Sequence, residues 1–349
     1  MNTIEIAGRP IGMNQPCFIV AEVGVNHNGD SQLARQLVRE AKRCGADCVK
    51  FQTFQAEHVV TRNAPKADYQ LKVTDPAESQ LKMLKALELS KQAHRDLFNS
   101  SVDEGILFLS TPYSMSDAEM LNDLGVAAFK VASGQIIELS FLEALARFGK
   151  PMIVSTGMAT LREVELAMDV IHAAGNDQII LLQCTTDYPS RVSDANLRAM
   201  CTMAKAFDCL VGYSDHTQGI NAALAAVALG ACVVEKHFTL DKNLPGPDHS
   251  SSADPDEFRS LTHGIRDIES ALGSAIKQPS ETESRNAVGM RRSIVAATDI
   301  PLGSVVTAEM LTFKRPASGI SPALLKDVIG RIAKVNISAD TLLTYEHLK

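Results

Sequence analysis

Two short apolar runs in this sequence end in the same way. GYSDH (212–216) and VVEKHF (233–238) each pass from hydrophobic residues into an acid and a histidine. If both runs are strands, alternate side chains share a face, so Glu235 and His237 point together. Neighbouring strands would then set His216 beside His237. Two imidazoles with positions left over for oxygen ligands suit a divalent transition ion such as manganese. The same alternation pairs Lys50 with Gln52 in VKFQT and turns Lys236 away from His237, toward the opposite layer. Lys50 and Lys130 offer positive charge. The hydroxyls of Thr111, Ser133, Ser155 and Ser214, with backbone donors near Gly134 and Gly157, would complete a cradle for phosphate or carboxylate. A lysine placed in this way also permits a different chemistry, Schiff-base formation by Lys50 or Lys130 on a carbonyl substrate. The residue types leave both open.

Such groups need a scaffold that gathers them. Eight β-rich runs recur along the chain: FIVAEV (18–23), CVKFQT (48–53), ILFLST (106–111), AFKVAS (128–133), MIVSTG (152–157), IILLQC (179–184), LVGYSDH (210–216) and CVVEKHF (232–238). Between them lie segments with helical periodicity, several ending in glycine. Runs that are apolar on both faces fit parallel strands covered on both sides. Eight strand–helix units predict a (β/α)₈ barrel, with a doubly wound open sheet as the alternative. Barrel chemistry sits at the C-terminal strand ends. Those ends hold Glu22, Lys50 and Gln52, Thr111, Lys130 and Ser133, Ser155 and Thr156, Thr185 and Thr186, Ser214 to His216, and Glu235 with His237, which predicts an active site on that rim. His58, His94, His172, His263 and His347 fall on connecting or helical segments and are assigned to solvent.

The expected domains are a barrel over 1–273, a polar linker over 274–287 (SAIKQPSETESRN lies within it) and a small module of short strands and turns over 288–349. One barrel connection is abnormally long: the stretch after CVKFQT, containing EHVVTRNAPKADYQLKVTDPAESQ, is read as a lid. The 349 residues carry 45% hydrophobic and 21% charged residues and a net charge of −7. The acidic balance, with no basic stripe, disfavours nucleic acid. No apolar run is long enough for a bilayer, and the first ten residues lack the pattern of a secretory signal. Seven cysteines set in apolar runs read as buried thiols in a reducing cytoplasm; the spacing of Cys44 and Cys48 is read as core packing.

Taken in order, AEVGVNHNGD, VKFQTF, STPYS, FKVASGQ, STGMAT, CTTDYP, GYSDHT, VEKHFTLDK, PGPDHSSSADP and KRPASGIS resemble the sialic acid (nonulosonate) synthases. The match runs from about Phe18 through Leu348. Its C-terminal part resembles the antifreeze-like (SAF, β-clip) domain. The resemblance implies a TIM barrel followed by that domain, in a homodimer whose small domains reach over the partner barrels. It implies condensation of phosphoenolpyruvate with an open-chain N-acylated mannosamine and release of phosphate. By the same resemblance, His216 and His237 would hold manganese or another divalent cation, such as magnesium or cobalt. Lys50, Thr111, Lys130, Ser133, Ser155, Thr186 and Ser214 would hold the anionic donor, and Glu22 would serve the cationic carbon formed after attack. Gln52, Tyr188, Glu235 and Asp248 would meet the sugar, Asp248 with a catalytic part. Arg315 would reach the sugar's N-acyl group from the other subunit. Asp248 also has a plain reading as a turn residue, and Arg315 one as a surface charge. Gln135 and Thr186 depart from residues common in the family, which leaves the sugar open between N-acetylmannosamine and a 2,4-diacetamido-trideoxy sugar leading to legionaminate. A carbohydrate-binding protein without activity would be the reading of the C-terminal module alone.

Overall fold

The computed structural model describes residues 3–349, which form two compact units, the first ending at Gly273 and the second spanning Ser274–Lys349. The first unit opens with a hairpin of β1 (Thr3–Ile6) and β2 (Arg9–Gly12). Eight parallel strands follow: β3 (Phe18–Gly24), β4 (Cys48–Thr53), β5 (Leu107–Pro112), β6 (Phe129–Val131), β7 (Met152–Ser155), β8 (Ile179–Cys184), β9 (Leu210–Asp215) and β10 (Val233–His237). Their order in the sheet is β5-β4-β3-β10-β9-β8-β7-β6, and the end strands β5 and β6 lie side by side, so the sheet curls into a TIM-type barrel. The open-sheet alternative is excluded by this order, because every strand but those at the β5–β6 seam is laddered to its sequence neighbours around one ring.

Local sequence explains where the helices begin. Asp30 caps Ser31–Arg43 by accepting from the backbone of Gln32 and Leu33. Thr160 with Glu163 and Asp254 with Glu257 form capping boxes at Leu161–Ala173 and Pro255–Leu272, the latter with proline in its first turn. The helices bury their apolar stripes against the outer strand faces, in a core that includes Leu37, Phe51, Phe108, Ile171, Tyr213 and Phe258. A second core fills the barrel interior at the N-terminal end. There Phe18, Val20, Leu109, Ile153, Ile180 and Val233 meet Ile4, Ile6 and Ile11 of the hairpin, which plugs the barrel floor. Arg9 ties the hairpin to Asp47, whose other oxygen accepts from the Ile19 amide at 2.9 Å. Gly212 faces this interior, where a Cβ would lie 2.5 Å from the Val233 carbonyl, so no larger residue fits.

The long connection after β4 is ordered into three short helices, Ala56–Val59, Asp68–Val73 and Gln80–Lys85. It rests on a small apolar cluster of Val25, Phe54 and Leu87. His94 corrects the solvent assignment made from sequence. It is 2% exposed, because the helix Lys91–Glu104 turns that face inward and its Nδ1 lies 3.1 Å from the Ser90 carbonyl.

In the second unit, part of the polar stretch read as linker is helical: Ser280 and Glu283 form a capping box that starts Glu281–Met290. Beyond it, β11 (Ser293–Ala296) and β12 (Leu311–Lys314) pair antiparallel over a core of Ile294, Ile300, Val306, Ile320, Val328 and Leu343. A core this small is near the minimum for a folded module. Among the described residues no helix is long and apolar enough to cross a membrane, and all seven cysteines are free thiols.

Candidate active site

Strand register sets the charged residues of the rim side by side. His237 is opposite Glu22, Glu22 is opposite Lys50, and Glu235 is opposite Ser214. The Lys50 ammonium lies 2.6 Å from Glu22 and 3.6 Å from Glu235, and donates to Thr111 at 3.2 Å. Lys130 donates to Ser155 at 2.7 Å and to the Val131 carbonyl at 3.0 Å, with Glu235 at 3.7 Å. Ser214 donates to Glu235 at 2.9 Å, and Gln52 to Glu22 at 3.2 Å. All four charged groups are buried.

Burial and mutual charge divide the roles of the two carboxylates. Burial works against the ionised form of Glu235, but the two ammonium groups outweigh it and hold its pKa down at about 2. Glu22 goes the other way: burial, reinforced by Glu235, exceeds the attraction of Lys50 and raises it to about 7. Lys50 pays for burial yet is raised by its two carboxylates, so it stays an ammonium. Lys130 is lowered, chiefly by burial. With every member ionised the quartet sums to zero; one proton on Glu22 makes it positive.

The imidazoles of His216 and His237 stand 5.3 Å apart, centroid to centroid, with the Tyr188 ring 4.1 Å from the first. His216 Nδ1 lies 2.7 Å from the Thr185 carbonyl. A carbonyl only accepts, so Nδ1 carries the proton and, in the neutral ring, Nε2 keeps its lone pair for a ligand. His237 Nδ1 is buried with no hydrogen-bond partner, 3.8 Å from Asp248. Two adjacent imidazoles, one with an orphaned nitrogen, fit a divalent cation. Among the described residues no set of three or more His, Cys, Asp or Glu is arranged as a complete cage, so the remaining positions would belong to oxygen of water or substrate.

These groups line one cavity of ≈ 390 Å³, together with Ser133, Thr186 and Tyr188. Gly157 closes tightly over this wall: its amide donates to Ser133 at 3.1 Å, and a Cβ would sit 2.4 Å from Thr186. Asp248 lies in an adjoining chamber of ≈ 200 Å³ that shares Gln52, Val59, Tyr113, Tyr188 and His237 with the main cavity. Its side chain caps no backbone and is 6% exposed, contrary to the plain turn reading, and burial raises it to about 6. Arg315 is exposed on the second unit.

Asp215, read among the polar strand ends, does not join the site. It points outward with Lys236, whose ammonium lies 2.7 Å away. Sequence reasoning missed Tyr113, Cys184, Glu138 and Met158 as lining residues; His58 is exposed, as expected, and lines the cavity as well. Cys184 was detectable: it is two residues beyond inward-facing Leu182. Gln135 is 4% exposed in the cavity wall, with neither amide atom partnered.

The sequence model described as the NeuB family matches residues 37–277, and that of the SAF domain matches 291–349. N,N'-diacetyllegionaminic acid synthase of Campylobacter jejuni is 47% identical, over 93% of this chain and 98% of its own. The protein of the same name from Legionella pneumophila is 45% identical over 98% and 97%. The crystal structure of N-acetylneuraminic acid (sialic acid) synthetase from Leptospira borgpetersenii superposes with a TM-score of 0.74 at 34% identity, covering 82% of this chain and 95% of that one.

Proposed function

This chain belongs to the NeuB family and ends in a SAF domain, and on that premise we propose that it condenses phosphoenolpyruvate with the open-chain form of an acylated aminosugar. The product is a nonulosonate, and inorganic phosphate is released. The favoured sugar is 2,4-diacetamido-2,4,6-trideoxymannose, giving N,N'-diacetyllegionaminate, because the Campylobacter and Legionella relatives, at 47% and 45% identity, carry that name. N-acetylmannosamine, giving N-acetylneuraminate, is the second candidate.

The observation that carries the reading is the buried quartet of Glu22, Lys50, Lys130 and Glu235 beside the two imidazoles. The donor brings about two negative charges on phosphate and one on carboxylate, so a site of zero net charge would hold it poorly. A proton on Glu22 releases Lys50 from its 2.6 Å partner and leaves the quartet positive, so that Lys50 and Lys130 bind the donor, with Thr111, Ser133, Ser155, Thr186 and Ser214 supplying hydroxyls. The enol carbon then attacks the aldehyde carbon. The double-bond electrons form the new C–C bond, the carbonyl electrons pass to oxygen, which takes up the proton that Glu22 releases, and the former enol carbon becomes cationic. Ionised Glu22 stabilises that centre and takes a proton from the water that adds there. Collapse of the adduct closes the C=O bond as its hydroxyl loses a proton, breaks the C–O bond to phosphate, and releases inorganic phosphate carrying that proton. Binding and turnover thus ask for opposite states of Glu22, which a pKa of about 7 serves.

His216 and His237 would hold the cation (manganese, or magnesium or cobalt), which when bound polarises the sugar aldehyde. Gln52, Tyr188, Glu235 and Asp248 orient the sugar. The assembly is a homodimer exchanging C-terminal units, with Arg315 acting on the acyl carbonyl from the partner subunit. The free thiols fit a cytoplasmic protein.

One assay tests this reading: phosphate release from phosphoenolpyruvate by protein supplied with manganese, for each sugar in turn. Release is expected with the diacetamido sugar above all, lost on chelation and restored by manganese. Arg315→Ala should raise the sugar KM and leave that of phosphoenolpyruvate unchanged. Borohydride trapping of pyruvate on Lys130, whose lowered pKa makes it the better amine nucleophile of the two lysines, would establish the Schiff-base aldolase instead.

A further inference from the structure

The chamber beside the main cavity has an unusual make-up for a space that opens onto a charged site. Its wall on the side of the long β4–β5 connection carries an apolar patch of Phe54, Val60, Met83, Leu84 and Leu87, beside Tyr69, Gln70 and Gln80. Its shared wall is polar, with Gln52, Tyr188 and His237, and Asp248 lines it as well. The volume of ≈ 200 Å³ exceeds what a single water needs. A recess with an apolar patch and a buried carboxyl group, that of Asp248, complements a group with an N–H at its root and a methyl at its tip.

We propose that this chamber binds the acyl chain of the sugar's C2 acylamino group, so that the connection 54–90 sets which acyl groups are accepted. The inference rests on the function proposed above. There the aldehyde carbon lies at the imidazole pair, and His237 is also part of the chamber wall. C2 is the next carbon along, so its substituent is the nearest to the opening. Asp248 receives the amide N–H, and the methyl enters among Met83, Leu84 and Leu87. Arg315, by contrast, is assigned the acyl carbonyl, and its loss would weaken all acyl groups alike.

The test measures kcat/KM for mannosamines bearing N-acetyl, N-propanoyl and N-butanoyl groups, and for the 6-deoxy form of the N-acetyl sugar. The unsubstituted protein should accept the longer acyl groups with little loss. Leu84→Phe, which fills the recess, should impose at least a tenfold penalty per added methylene through KM, since a misfitted methylene costs about 10–200-fold. Met83→Ala should extend acceptance to N-hexanoyl. The KM for phosphoenolpyruvate and the melting temperature report whether each variant is intact. An intact Leu84→Phe protein with the same chain-length profile as its parent overturns the inference and leaves the synthase reading standing. So does a penalty that follows the C6 substituent in place of acyl length. No phosphate release by the unsubstituted protein with any sugar overturns both.

Discussion

The floor and the rim of this barrel are built on the same strands, and both are buried, but their chemistry is opposite. Val20 lies two residues below Glu22, Cys48 below Lys50, Leu109 below Thr111, Ala128 below Lys130, Ile153 below Ser155 and Val233 below Glu235. One step of strand alternation therefore carries the interior from hydrocarbon to a layer of charges and hydroxyls. The floor is stabilised by apolar area removed from water, about 25 cal/mol for each Å². The rim gains nothing of that kind: desolvating its charges costs several kcal/mol per ion before pairing returns part of it. A barrel evolved for stability alone would continue the floor upward. The rim is where this molecule gives up stability to hold an anionic donor.

Substitution at equivalent depths should expose that difference. The largest effect is expected from Lys50→Met. Phosphate release should fall by at least about 100-fold, as for loss of a main electrostatic group. Stability should also fall, by about 3–5 kcal/mol, because Glu22 and Glu235 lose a shared ammonium. Glu22 already has a raised pKa, so this deficit should grow as pH rises through 7 and shrink below it, where the carboxyl group is neutral. Adding Glu22→Gln should restore most of the stability and none of the activity. A double variant as unstable as the single one in denaturant titration would show that the rim is held by packing, as the floor is.

Next in size is Leu109→Ala, in the floor. A loss of about 2–5 kcal/mol is expected from the cavity left behind, with the KM for both substrates unchanged and no dependence on pH. A changed KM would mean that floor and rim are coupled mechanically. The smallest effect concerns the loops above the rim, which keep buried but neutral histidines. Burial lowers His27 and His249 to about 4. His27 Nδ1 accepts from the Gly29 amide at 3.0 Å, a bond that protonation destroys. The unfolded chain takes up these protons first, so stability present above pH 6.5 should be lost as pH falls toward 4, by at most about 3 kcal/mol per histidine. The melting temperature of His27→Gln should fall less steeply over that interval than that of the parent.

Much of the rim was legible beforehand because a strand has a period of two. Once GYSDH and VVEKHF are strands, His216 and His237 must share a face, and Lys236 must leave it; Asp215 leaves with it, by the same alternation. Residues outside strands were harder to read. Tyr113 and Met158 stand on turns past the strand ends, and His58 on the long connection, where no periodicity says which way a side chain faces. His94 lies on a helix whose inward face depends on what covers it, so its burial had no local signal.

By itself, then, the sequence determined the strands, their alternation and the set of groups at their C-terminal ends, because backbone geometry and side-chain chemistry act over a few residues. Only the tertiary structure decided that Glu22 is poised near neutrality while Glu235 is a fixed anion, since that depends on how deeply each is buried and on which ammonium groups lie within a few ångströms. It likewise decided that Asp248 faces a chamber, because a turn 200 residues away in sequence reaches the loops of the first two barrel strands only when the barrel has closed.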